Sequence, residues 1–197
     1  MKIASTVKSV LVAASLVGVA GAALAAPVKY NIDPQHTYPS FETDHFGGLS
    51  TWRGKFNSTS GTVTLDKEAK TGDLAVTIDA TSIDFGHDKM NQHAQSPDML
   101  DTAKFPTATY KGKLTNFKDG LPTEVDGTLE LHGVSKPVKL KINSFVCKQN
   151  PMSKKDVCGA DASGTFSRAD FGVNYAQQMG FKMDVKLAIQ VEAIKAD

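Results

Sequence analysis

The chain has 197 residues, 41% of them hydrophobic and 22% charged, with a formal net charge of +1. That length and apolar share suit one domain around a single core and exclude a disordered chain. With no excess of Lys and Arg to neutralise phosphates, a nucleic-acid partner is excluded on electrostatic grounds.

In chain order, the first element is a targeting segment. Lys2 and Lys8 lie in an acid-free start, residues 10–24 are an uncharged apolar run, and Ala23-Leu24-Ala25 precedes Ala26-Pro27. A basic start, an apolar centre and an A-x-A end make a secretory signal peptide, with cleavage expected after Ala25. The run is shorter than the roughly 20 residues of a membrane span. No later segment is long and apolar enough, so an exported domain of residues 26–197 is expected, without stable membrane insertion.

Period-two alternation dominates that domain. Residues 52–56 and 62–65 are short strand-like pieces, and Leu74, Val76 and Ile78 alternate with Asp73, Ala75, Thr77 and Asp79. Residues 108–114 and 127–132 follow, then Val138, Leu140 and Ile142 alternating with Lys139, Lys141 and Asn143. Met183, Val185, Leu187, Ile189 and Val191 mark the longest half-buried strand. Residues 66–72, 118–120 and 133–137 carry the turn chemistry between these runs. Helical crossovers are missing, so an antiparallel barrel or sandwich of about eight strands is predicted. The inward positions are mostly Val, Ile, Leu, Ala and Gly with few aromatics, which favours a cavity over a filled core.

Two segments break the alternation. Residues 86–103 are polar with Met90, Met99 and Leu100, and read as a short helix and loop that Pro97 ends or kinks. Residues 168–179 form a second irregular piece, and such inserts in a tight β-domain act as lids or binding loops. The only two cysteines, Cys147 and Cys158, bracket a polar stretch with Asn150-Pro151. In an oxidising compartment they are expected to form a disulfide across a hairpin base, worth roughly 3 kcal/mol by chain entropy, with free thiols as the alternative.

Nucleophile elbows, zincin motifs, phosphate-binding loops and dinucleotide fingerprints are missing from the sequence. His87 and His93, with Asp88 and Asp98, could furnish a metal site on the insert, but six-residue spacing does not put two ligands on one helix face. No catalytic residue, metal ligand or cofactor is assigned on these grounds.

Several segments together resemble the YceI-like, polyisoprenoid-binding family of bacterial exported proteins. Ile32-Asp33-Pro34-Gln35-His36-Thr37 with Phe41 and His45 resembles its D-P-x-H-S opening, and Asp79-Ala80-Thr81-Ser82-Ile83-Asp84 its D-A-x-S-I-D run. Ser96-Pro97-Asp98 with Phe105-Pro106-Thr107-Ala108, residues 127–138, and Arg168-Ala169-Asp170-Phe171-Gly172 resemble further motifs in the same order. On the insert, where the family often carries R-D-x-H-L-R-S, this chain has Met90-Asn91-Gln92-His93-Ala94-Gln95-Ser96, keeping His93 and Ser96 but neither arginine.

The resemblance implies an all-β fold, an eight-stranded antiparallel lipocalin-like β-barrel, with a short helical insert near residues 87–101. It implies a periplasmic protein holding a polyisoprenoid or isoprenoid quinone in an apolar cavity for sequestration or transport, without catalysis and without a cofactor. Inward parity then selects Phe41, Trp52, Phe56, Val76, Ile78, Tyr110, Leu129, Leu131, Val138, Leu140, Ile142, Val185, Leu187 and Ile189 as ligand-facing. Met90, His93 and Met99 join them at the mouth. Asp79, Asp84, Arg168 and Asp170 are assigned structural roles. The alternatives are a metal-dependent factor built on His87 and His93, and a filled barrel acting through a protein partner. A homodimer stays open.

Overall fold

A computed structural model describes residues 26–197, so the signal-peptide expectation lies outside the described residues. The strands are β1 (Val28–Ile32), β2 (Tyr38–His45), β3 (Ser50–Phe56), β4 (Thr59–Asp66), β5 (Thr71–Asp79) and β6 (Ile83–Asp84). After helix α1 (Asp88–Gln95) come β7 (Thr107–Thr115), β8 (Glu124–Leu131), β9 (Val134–Gln149), β10 (Asp156–Ser167) and β11 (Asp184–Lys195).

These segments make eight staves, because the first three staves are each broken in two. β1 and β2 pair with successive lengths of β11, as Ile32↔Ala193 and Tyr38↔Gln190 show. β4 and β3 pair with β1 and β2 in turn, and β5 and β6 pair with β4 and β3. From β5 the sheet runs through β7, β8, β9 and β10 to β11, whose pairing with β1 closes the ring. Every pairing is antiparallel between neighbours in sequence apart from that closure, which makes an up-and-down barrel without a free edge around its waist.

Local chemistry makes the breaks. At 33–37, Pro34 has no N–H for a ladder, and Asp33 accepts from the Gln35 backbone N–H at 2.9 Å. At 80–82, Asp79 accepts from both the backbone N–H and the hydroxyl of Thr81, at 2.9 and 2.6 Å, and winds a 3₁₀ turn.

Up-and-down order sorts the loops. Those following β2, β6, β8 and β10 gather at one end of the barrel, and those following β4, β7 and β9 at the other. At the second end Tyr30, Leu65, Leu114, Val125, Cys158 and Ala193 pack into the buried cluster that plugs the barrel. Burying each of the larger side chains stabilises the fold by about 1.5–3 kcal/mol. At the first end the inward Val76, Ile78, Leu187 and Ile189 stay only half-buried. There the residues between β6 and β7, α1 included, take the place of a continuous ladder.

Tyr110 on β7 shows how the core is fitted. Its hydroxyl donates to the Val138 carbonyl on β9 at 2.7 Å, crossing the intervening β8. Gly127 occupies β8 at the crossing, where an added Cβ would lie 2.3 Å from the ring. Burial pushes the phenol well above its ordinary pKa, so the hydroxyl stays protonated as a donor.

Two expectations need correction. Residues 133–137 are not a loop: the β8–β9 turn is His132-Gly133 alone, with φ of 52° and 74°, the pair of positive angles a two-residue hairpin uses. Pro137 therefore sits inside β9, tolerated because β10 pairs only with β9 from Lys141 to Gln149 and leaves Pro137 bonded on one side. The helix of the insert stops at Gln95, as Pro97 leads one to expect: Ser96 donates its backbone N–H at 3.0 Å and its hydroxyl at 2.7 Å to the His93 carbonyl, with Pro97 immediately beyond. The interior is also richer in aromatics than alternation indicated, as the cavity shows.

Candidate functional site

The half-filled barrel encloses a cavity of about 480 Å³ that opens at the α1 end. That volume falls in the range of sites that engulf a small molecule, roughly 300–1,000 Å³. The structure places every side chain selected by inward parity on its wall. Phe41 comes from β2, Trp52 and Phe56 from β3, Val76 and Ile78 from β5, and Tyr110 from β7. β8 supplies Leu129 and Leu131, β9 supplies Val138, Leu140 and Ile142, and β11 supplies Val185, Leu187 and Ile189. Met90 and His93 project from α1, and Met99 from the turn after it.

Other wall residues escaped sequence reasoning. On β2, Pro39, Thr43 and His45 share the inward face with Phe41, an alternation that their mixed polarity hides. Phe85, Val173, Tyr175 and Phe181 reach the wall from irregular segments, where period two carries no information. The rings form a mouth cluster: Phe41 to Phe85 at 5.4 Å between centroids, Trp52 to Phe85 at 5.9 Å and His45 to Trp52 at 5.6 Å. His93 meets Tyr175 edge-on at 4.8 Å.

The polar groups of the wall are few. Arg168 is 9% exposed, and its guanidinium donates to the carbonyls of Val173 at 2.8 Å and Tyr175 at 2.9 Å. It thereby folds the 168–181 segment over the mouth, and burial lowers its pKa, opposed by the negative charge of Asp44. Its structural role holds, yet it also lines the cavity, which sequence reasoning missed. Asp44 accepts from the backbone N–H groups of Gly47 at 2.9 Å and Lys182 at 3.0 Å, and these contacts hold its carboxyl below the usual range. Thr59 is buried in the wall with a hydroxyl that has no protein partner.

The two histidines of the insert diverge. The His87 ring caps α1 by accepting from the Met90 N–H at 3.2 Å and packs against Trp52, whereas His93 faces the cavity. Among the described residues no three His, Cys, Asp or Glu side chains gather as a metal site would require. Asp84 holds the start of the insert, accepting from the Gly86 N–H at 2.7 Å and from the side-chain amides of Asn57 and Asn91, both at 3.2 Å. At the far end Cys147 and Cys158 are bonded directly across β9 and β10, closing the predicted hairpin base.

A closed up-and-down barrel with a plugged floor, an apolar chamber and an irregular segment over its mouth is a β-barrel of the lipocalin-like class. Residues 30–193 match the family model for the YceI-like domain, and the chain belongs to that family. Protein YceI of Escherichia coli O6:H1 is 35% identical over 184 residues, spanning 92% of this chain and 94% of its own. The fold is shared with the Campylobacter jejuni YceI protein at a TM-score of 0.63 and 24% identity, over 76% of this chain and 88% of that one. A polyisoprenoid binding domain from Saccharophagus degradans, implicated in plant cell wall breakdown, aligns at a TM-score of 0.58 and 16% identity, over 86% and 99%.

Proposed function

We propose that this protein carries a polyisoprenoid-type lipid, or an isoprenoid quinone, with its tail in the barrel and its head at the mouth. The observation that carries this reading is a chamber whose wall is predominantly apolar, while Asp44, His45, His93, Arg168 and Tyr175 cluster towards the opening. Isoprenoid tails gain about 0.8 kcal/mol for each CH₂ withdrawn from water, so an enclosed barrel shields them without covalent chemistry. The polyisoprenoid binding of the Saccharophagus degradans domain supports the same ligand class. A cavity of this size speaks against the filled-barrel alternative.

The reading is tested by native mass spectrometry of protein purified from its own host, followed by solvent extraction. A discrete added mass that yields an isoprenoid supports carriage. In parallel, geranylgeraniol is titrated while the emission of Trp52, the single tryptophan and a wall residue, is followed. A saturable blue shift is expected, and a bare mass together with an unmoved Trp52 spectrum would overturn the reading.

Carriage in the periplasm completes the proposal, supported by the signal-peptide pattern of residues 1–25 and by the Cys147–Cys158 bond, which suits an oxidising compartment. Spheroplast release followed by N-terminal sequencing is expected to give a chain beginning at Ala26. Retention with the cytoplasm after spheroplasting would refute this location.

A further inference from the structure

The two loops beside the mouth, 46–49 and 173–181, contain no Asp, Glu, Lys or Arg in a chain that is 22% charged. The loops at the plugged end differ sharply: residues 66–71 include Asp66, Lys67, Glu68 and Lys70, and residues 150–155 include Lys154 and Lys155. Among the described residues, four of the six large hydrophobic side chains left exposed lie at the mouth, the other two being Val146 (59%) and Met152 (91%) on the β9–β10 hairpin of the plugged end. Phe46 is 56% exposed, Leu49 76%, Tyr175 43% and Met179 64%.

The loops form one tip. Asp44 holds both through the N–H groups of Gly47 and Lys182, and the Phe46 and Phe181 rings meet edge-on at 5.7 Å. A Cβ on Gly47 would stand 3.1 Å from the Gly180 carbonyl oxygen, so the backbones nearly touch. Phe46 is held at φ 54°, a left-handed conformation costly for a bulky residue, and its ring nonetheless projects into solvent. Phe181 and Tyr175 belong both to this tip and to the cavity wall, so the apolar surface runs unbroken from outside into the chamber.

We propose that loops 46–49 and 173–181 are a docking tip that seats the open end of the barrel on a lipid bilayer. Exposed apolar loop ends without charges enter the acyl boundary at little desolvation cost, whereas the charged loops of the plugged end stay in water. Lys182, whose ammonium nitrogen stands 3.6 Å from where a Cβ on Gly48 would lie, sets a cation beside the tip that suits the anionic face of a bilayer, while residues 46–49 and 173–181 themselves offer no charged group to fix the register of a protein partner. The inference rests on the carriage reading for its purpose: a tail leaving the bilayer would pass along Phe181 and Tyr175 without crossing water.

The test is flotation of the full purified protein with vesicles of phosphatidylcholine and phosphatidylglycerol, in low and high salt. Leu49→Asp with Met179→Asp is the variant, since neither side chain lines the cavity and both are largely exposed. Expected are wild-type flotation that persists in high salt and a loss of at least about tenfold in partition for the variant. The variant is also expected to keep the wild-type Trp52 response to geranylgeraniol added from solution. A wild type that does not float, or a variant that floats equally, overturns the docking tip, and in either case an intact Trp52 response leaves carriage standing. Conversely, flotation without any Trp52 response removes carriage and keeps the tip as a membrane-binding surface. Sedimentation velocity closes the remaining route: a wild-type dimer dissolved by the same substitutions would assign the patch to a second copy of this chain and sink the proposal.

Discussion

At the scale of single residues, Gly127 decides how Tyr110 lies. Gly127→Ala would push the Tyr110 ring from its seat and part its hydroxyl from the Val138 carbonyl. Overpacking of this kind costs about 1–3 kcal/mol, to be read from urea unfolding. Tyr110→Phe, which removes only the hydrogen bond, should cost about 1 kcal/mol, and an equal loss for both would show that steric pressure plays no part. Alternation placed Tyr110 indoors, but its reach across a strand was not legible, because it depends on which glycine stands opposite in the final register. Asp44 gives the second prediction at this scale. The Lys182 N–H, then the Gly47 N–H, hold its carboxyl below the ordinary range. Its contribution is therefore complete above the ordinary aspartate pKa and fades as pH falls through the lowered folded value. Amide hydrogen exchange at Gly47 and Lys182 should stay protected at neutral pH and loosen only in strong acid, apart from the general slowing of chemistry there. Asp44→Ala should expose both amides at neutral pH, and unchanged protection would show that the loops are held by other contacts.

At the scale of elements, the sequence was most readable where one rule acted alone. The long alternating runs became β5, β7, β8, β9 and β11, since their inward residues had only the core to satisfy. The broken staves were not readable, because two principles compete there: strand alternation continues through Asp33 and Asp79 while their carboxylates fold the backbone into turns. Pro137 misled for a related reason, as its ring forbids a ladder bond only on the side that β9 happens to leave unpaired. The cysteine hairpin was fully legible, since a disulfide needs only proximity and an oxidising compartment. Replacing Cys147 and Cys158 together by Ser should cost about 3 kcal/mol, chiefly by freeing the unfolded chain, measured as a lowered urea midpoint. Neither sulfur lines the chamber, so geranylgeraniol uptake should survive under conditions where the variant is folded. Loss of uptake by a folded variant would mean that the plugged end helps to shape the cavity.

At the scale of the whole molecule, the barrel divides its interior into a packed floor that supplies stability and an unfilled chamber that forgoes it. Leu65 is 2% exposed and Val125 3%, whereas Val76 and Ile189, equally apolar and equally inward, are only half-buried. Parity could name both sets but could not separate them, because a strand's pattern says which face points inward and not whether anything meets it there. The lid side chains Phe85 and Phe181 were illegible for the opposite reason, lying in segments whose placement is set by tertiary contacts alone. The unfilled half makes a linkage prediction. A ligand that binds only the folded chamber stabilises it by about 2.7 kcal/mol at roughly a hundredfold excess over Kd. Geranylgeraniol should therefore raise the urea midpoint, followed by circular dichroism so that no tryptophan signal intervenes. Val76→Trp should place an indole in the chamber, keep the barrel folded because space is available, and abolish that rise. A variant that folds, with its chamber occupied by the indole, and still gains the full stabilisation would place the lipid outside the barrel.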